Sequence, residues 1–87
     1  MALIEKYDTI INETRTILIN KNKDYGDAYK EFGLIGLLAR INEKIKRCLT
    51  ITKTEIVYNN DEKLKDTLQD LINYSILTMI ELEEKNE

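Results

Sequence analysis

Eighty-seven residues with no histidine and a single cysteine exclude His-ligated zinc, Ser-His triads, Cys-His pairs and any disulfide within the chain. Chemistry here must run on carboxylates, Lys, Arg or Tyr. A formal net charge of −3 does not favour duplex nucleic acid as a partner, although one nucleotide carrying its own Mg²⁺ remains compatible.

A chain of this length forms one domain, and its own core is thin. The longest apolar run, Gly33 to Ala39, is too short to cross a bilayer. One cysteine, Cys48, read as a packed thiol, and no signal-peptide layout lead us to expect a cytoplasmic protein. Asn12-Glu-Thr14 and Asn73-Tyr-Ser75 match the glycosylation pattern, but matches this short arise by chance.

Periodicity predicts an all-α fold of three helices. The first spans about Leu3 to Lys21, with Leu3, Tyr7, Ile10, Thr14 and Ile17 at alternating spacings of four and three. Ile4, Ile11 and Leu18 widen that stripe. "NKNKDYGD" (20–27) is expected to break the pattern, with Gly26 as the bend and Asp27 as the next N-cap.

The second helix is expected from Ala28 to Leu49, with Leu34, Leu38, Ile41, Ile45, Cys48 and Leu49 inward. "TITKTEIVYNN" (50–60) reads either as an extended connector or as the end of that helix plus a loop. The third helix opens at Asn59 or Asn60, and with Asn59 as N-cap, Glu62 holds the acidic position of a capping box. Its main stripe is Leu64, Leu68, Leu71, Ser75, Met79 and Leu82, and the terminal "EEKNE" (83–87) is expected to fray. Leu77 and Ile80 project to the opposite side. A helix apolar on both sides needs neighbours on both, so a homo-oligomer, dimer or tetramer, is expected.

Polar residues converge on two faces. At about 100° per residue, Asp70 lies about 40° from Asp66, Asn73 about −20° and Glu62 about −40°. On the second helix Gly36, Arg47, Arg40, Gly33 and Lys44 lie within about 100° of Glu43. Mg²⁺ takes oxygen ligands, and Asp66 and Asp70 with Glu43 from the facing helix make a minimal donor set. Arg40, Lys44 and Arg47 suit phosphates, Arg because its planar fork binds two oxygens at once. Each element also has a plainer reading. Acids near a helix start favour the macrodipole as a solvated face. Glu43 among Arg40, Lys44 and Arg47 is ordinary ion-pair patterning, helix glycines permit close packing, and Tyr25 suits a packing role.

Three stretches in order, "KNKDYGDAYKEFGLIG" (21–36), "RINEKIKR" (40–47) and "NDEKLKDTLQDLINYSIL" (60–77), resemble the family called nucleotide modification associated domain 1. That phage- and bacteria-associated family is similar in turn to MazG-like all-α nucleoside triphosphate pyrophosphatases. The resemblance implicates Lys23, Asp24, Tyr25 and Gly26, then Arg40, Glu43, Lys44 and Arg47, then Asp66, Asp70, Asn73 and Tyr74. It implies a nucleotide pocket between the second and third helices, within a subunit or across two. Glu43, Asp66 and Asp70 would hold Mg²⁺, with Lys23, Asp24, Tyr25, Arg40, Lys44, Arg47, Asn73 and Tyr74 around the nucleotide. MazG-like enzymes typically carry Glu-Glu-x-x-Glu on one helix and Glu-x-x-Asp on the next. Here the second helix keeps one acid of about three, and the third has its aspartates four apart. Three expectations stand: pyrophosphohydrolysis of a nucleoside triphosphate, an oligomeric sponge that captures a nucleotide-derived immune signal intact, or a purely structural helical oligomer.

Overall fold

The computed structural model describes residues 2–53 and 60–85, and for 22–32 and 60 the backbone alone. It consists of three helices, α1 (Leu3–Asn20), α2 (Asn22–Lys53) and α3 (Asn60–Lys85). There is no strand among the described residues, so the fold is all-α. None of these helices is long and apolar enough to cross a membrane.

The expected break at 20–27 shrinks to one residue. α1 ends at Asn20 and is capped by Lys21, whose N–H donates to the Ile17 carbonyl at 2.9 Å, and helical backbone resumes at Asn22. Gly26 and Asp27 therefore lie inside α2, as neither bend nor N-cap. The bend falls at Gly33, with φ 61° and ψ −161°. That region is essentially closed to residues with a Cβ, whereas a glycine in helical backbone costs only about 1 kcal/mol relative to alanine.

Past Leu49, α2 continues through Lys53. Thr50 and Thr52 donate their hydroxyls to the Lys46 and Cys48 carbonyls at 3.0 and 2.9 Å, so polar side chains are satisfied within the helix. The rest of the connector, 54–59, and the Asn59 capping box lie outside the described residues. α3 begins at Asn60 and persists to Lys85, beyond the expected onset of fraying.

α3 packs chiefly on α2 and to a lesser extent on α1. The core joins Leu37 (0% exposed) to Leu77 (9%), with Leu18 and Tyr74 packed against them. Leu77 was expected to face another chain, but it is buried within this one. Of the predicted α3 stripe, Leu64, Leu71 and Ser75 are half-buried and Leu68, Met79 and Leu82 exposed, as is Ile80 of the opposite side. Threonines explain how the more polar face goes inside. Thr67 and Thr78 are buried, yet their hydroxyls donate to the Lys63 and Tyr74 carbonyls of the same helix at 2.9 and 2.7 Å. Tied back in this way, neither hydroxyl carries an unmet donor into the interior.

The inward face of α2 is rotated in the same sense. Leu37 is fully buried, Leu34, Ile41 and Cys48 are half-buried, and Leu38, Ile45 and Leu49 are exposed. On α1, Thr14 is buried and Ile11, Ile17 and Leu18 half-buried, while Leu3, Ile4, Tyr7 and Ile10 are exposed.

A Cβ placed on Gly33 would meet no atom within 4 Å. Gly33→Ala should therefore destabilise the fold through backbone strain alone, by about 1–3 kcal/mol. Urea unfolding of the two proteins measures it, and an unchanged midpoint would show that the kink is not held in solution.

Candidate functional site between α2 and α3

Lys44 and Asp70 meet where α2 and α3 pack. The Lys44 ammonium lies 3.3 Å from Asp70 Oδ2, with the two side chains 23% and 24% exposed. It also stands 6.0 Å from the centroid of the Tyr74 ring. A cation at that distance is attracted by the π-face, so carboxylate and ring together confine it. Register explains the meeting. Lys44 lies seven residues after Leu37, and Asp70 seven before Leu77. Seven residues are about two helical turns, so on antiparallel helices the core contact and the ion pair follow from one alignment.

Two further cations of α2, Arg40 and Arg47, are exposed on the same side as Lys44. Arg40 reaches Glu43 at 3.6 Å, an open i,i+3 pair that adds little stability. Arg47 is exposed one turn beyond Lys44. Arg40, Lys44 and Arg47 thus form a row of spacing four and three on one side of α2. Helical geometry had placed these three together; that Lys44 meets Asp70 and Tyr74 across the interface is decided by the packing of α2 on α3.

The three acids do not come together. Asp66 lines a hollow of about 480 Å³ with Glu13, Thr16, Ile17, Glu62 and Gln69, on the α1 side of α3. At its rim Lys65 pairs with Glu13 at 3.1 Å. Asp70 faces α2 instead, and Glu43 is drawn to Arg40 on its own helix. α3 runs between two neighbours, so about 40° of rotation is enough to send its two aspartates toward different ones. Among the described residues no three acidic or cysteine side chains stand close enough to share a metal ion. Within one chain, Glu43, Asp66 and Asp70 therefore do not fit the expected Mg²⁺ site.

Asn73 has a structural part that periodicity did not suggest. It is 1% exposed and donates Nδ2–H to the Thr14 carbonyl at 3.1 Å, fastening α1 to α3. Asn73 Oδ1 and the Thr14 hydroxyl are both buried without a hydrogen-bond partner among the described residues. Thr9, Thr16, Thr50, Thr52, Thr67 and Thr78 all donate to the carbonyl four residues back, so Thr14 departs from the habit of the chain. The available signal was a hydroxyl in the middle of an otherwise apolar stripe. Lys23, Asp24 and Tyr25 lie on the helical backbone of the first part of α2, and their side chains are outside the described residues.

The family model of nucleotide modification associated domain 1 matches residues 21–82. The chain belongs to that family. Comparison with curated proteins and with solved structures gave no match. The matched span holds all of α2 and nearly all of α3, so the nucleotide modification associated domain includes the Gly33 kink, the Leu37–Leu77 core and the Lys44–Asp70–Tyr74 contact. α1 lies outside it, fastened on through Asn73 and Leu18.

Removing the Asn73 amide cuts a buried hydrogen bond between helices. Asn73→Ala should lower stability by about 1–3 kcal/mol in chemical denaturation. A loss below about 0.3 kcal/mol would show that the contact contributes no hold on α1.

Proposed function

We propose that this domain binds a nucleotide, with the phosphates along Arg40, Lys44 and Arg47 of α2 and the base or sugar against Tyr74. The observation that carries the reading is Lys44 confined between Asp70 and the Tyr74 ring, beside two arginines on one helical face. A lysine ammonium has three donors, so Asp70 can orient it while others remain for phosphate oxygens. The arginines add forked donors at the solvent edge. Family membership supports a nucleotide as the ligand, and the order of the motifs supports a MazG-like ancestry for the site.

Release of the ligand intact is the outcome we favour. Asp70 and Glu43 each face a cation rather than one another, and Asp66 faces α1. The proposal therefore assigns no protein-held Mg²⁺ and no hydrolytic step within a single chain. Pyrophosphohydrolysis is the second reading, since Asp66 and Asp70 remain one turn apart on α3, but it needs further acids from another copy. A sponge of this kind would suit a phage countering a nucleotide-based immune signal in its host's cytoplasm.

Calorimetric titration with ribonucleotides, deoxynucleotides and cyclic nucleotides, with and without Mg²⁺, tests the reading. Chromatography of ligand recovered after heating distinguishes capture from cleavage. Arg40→Ala and Lys44→Ala should each weaken binding about tenfold or more, equivalent to about 1.4 kcal/mol. Tyr74→Ala should cost about 1–3 kcal/mol if a base stacks there. Recovery of cleaved product would establish the hydrolase instead. Insensitivity of every ligand to all three substitutions would leave only a structural role.

A further inference from the structure

We infer that a hollow between α1 and α3, beside Asn73, binds a small cyclic amide carrying a carboxylate. The inference does not rest on the nucleotide reading, because this hollow lies on the α1 flank of α3 and Lys44 on the α2 flank. Ile11, Thr14, Arg15 and Leu18 of α1 and Asn73 and Ile76 of α3 line a volume of about 220 Å³. Two polar atoms on this wall are bare. Asn73 and Thr14 are each 1% exposed, and neither Asn73 Oδ1 nor the Thr14 hydroxyl has a hydrogen-bond partner among the described residues. The other half of the Asn73 amide fixes its orientation. A carbonyl can only accept, so the atom 3.1 Å from the Thr14 carbonyl oxygen is Nδ2. Oδ1 is therefore the bare end, and it needs a donor. The Thr14 hydroxyl proton is equally uncommitted, since this hydroxyl alone among the described threonines does not donate to the carbonyl four residues back.

Water alone meets these two atoms poorly. At about 30 Å³ per molecule, the hollow corresponds to about seven waters, and Ile11, Leu18 and Ile76 would face most of them. An organic ring with one polar edge suits such a wall better. The bare atoms are neighbours, because the same two residues are already joined by the Asn73–Thr14 hydrogen bond. One edge can therefore serve both. A cyclic amide supplies the two complements side by side: its N–H donates to Asn73 Oδ1 and its carbonyl accepts from the Thr14 hydroxyl. An open-chain amide is trans and points the same two groups in opposite directions. Arg15 adds the remaining feature. It is exposed on this wall and forms no ion pair among the described residues, so its forked donors are open to a carboxylate at the mouth. Ile11, Thr14, Arg15 and Leu18 precede the matched span of 21–82, so family membership does not assign this hollow.

NMR titration of the ¹⁵N-labelled full chain tests this with two acids, pyroglutamate for a saturated ring and orotate for a planar, nucleobase-like one. At least one should shift the Asn73 side-chain amide and the backbone amides of 11–18, with a dissociation constant of about 1 mM or tighter. Which acid binds distinguishes the two sources of the same amide edge. N-methylpyroglutamate and N-methylorotate lack a donor, and the N-methylated form of the acid that binds should do so about tenfold more weakly, a comparison that needs no variant to fold. Arg15→Gln alters an exposed side chain. It should weaken the acid about tenfold and leave uncharged 2-pyrrolidone unaffected. Thr14→Val removes the bare hydroxyl at nearly the same volume, so it should weaken binding about tenfold at an unchanged or higher melting temperature. A lower melting temperature would show that water already satisfies the hydroxyl and would overturn the inference. So would the absence of shifts with about 10 mM of either acid, equal binding of the N-methylated form, or shifts confined to residues 40–47 and 74.

Discussion

The antiparallel alignment of α2 on α3 is the constraint from which the rest of the molecule follows. Leu37 against Leu77 sets it, since both are buried and no larger cluster competes with them among the described residues. Once they face each other, helical periodicity leaves Lys44 no neighbour on α3 other than the segment around Asp70 and Tyr74. Core and candidate site are thus one piece of geometry, two turns apart. A shift of one turn along this interface would separate Lys44 from its carboxylate and Leu37 from its cover together.

The inner face of α3 is built from an uncommon mixture. Thr67, Gln69, Asn73 and Thr78 are buried beside Leu77, while leucines and a methionine face out. Hydroxyls bonded back to their own helix remove the usual desolvation cost of the threonines, and Asn73 spends its amide on α1. The result is a chain whose helices are joined by few apolar contacts and several polar ones. Burial of about 25 cal/mol per Å² has little area to act on here, and much of the apolar surface that would usually form a core lies outside.

The family match and the geometry divide the chain in the same place. Residues 21–82 contain the paired helices with the cationic row, and α1 lies outside that span, packed on α3 and more lightly on α2. Asp66 lines a hollow with Glu13, Thr16 and Ile17 of α1, while Asp70 pairs with Lys44 of α2.

Sequence by itself determined the helical class, the element order, the membership carried by its motifs, and the row of Arg40, Lys44 and Arg47 on one side of α2. Each follows from spacing along one or two helices, where 3.6 residues per turn dictates which side chains are neighbours. Tertiary structure alone decided which side of α3 turns inward, because a helix apolar nearly all round has no preferred direction until its neighbours are placed. It also decided that Gly33 rather than Gly26 makes the bend, since a glycine fits helical and left-handed backbone alike. For the same reason Asp66 and Asp70, near in angle on paper, serve different interfaces: a helical wheel records rotation, and only packing says what stands opposite each degree of it.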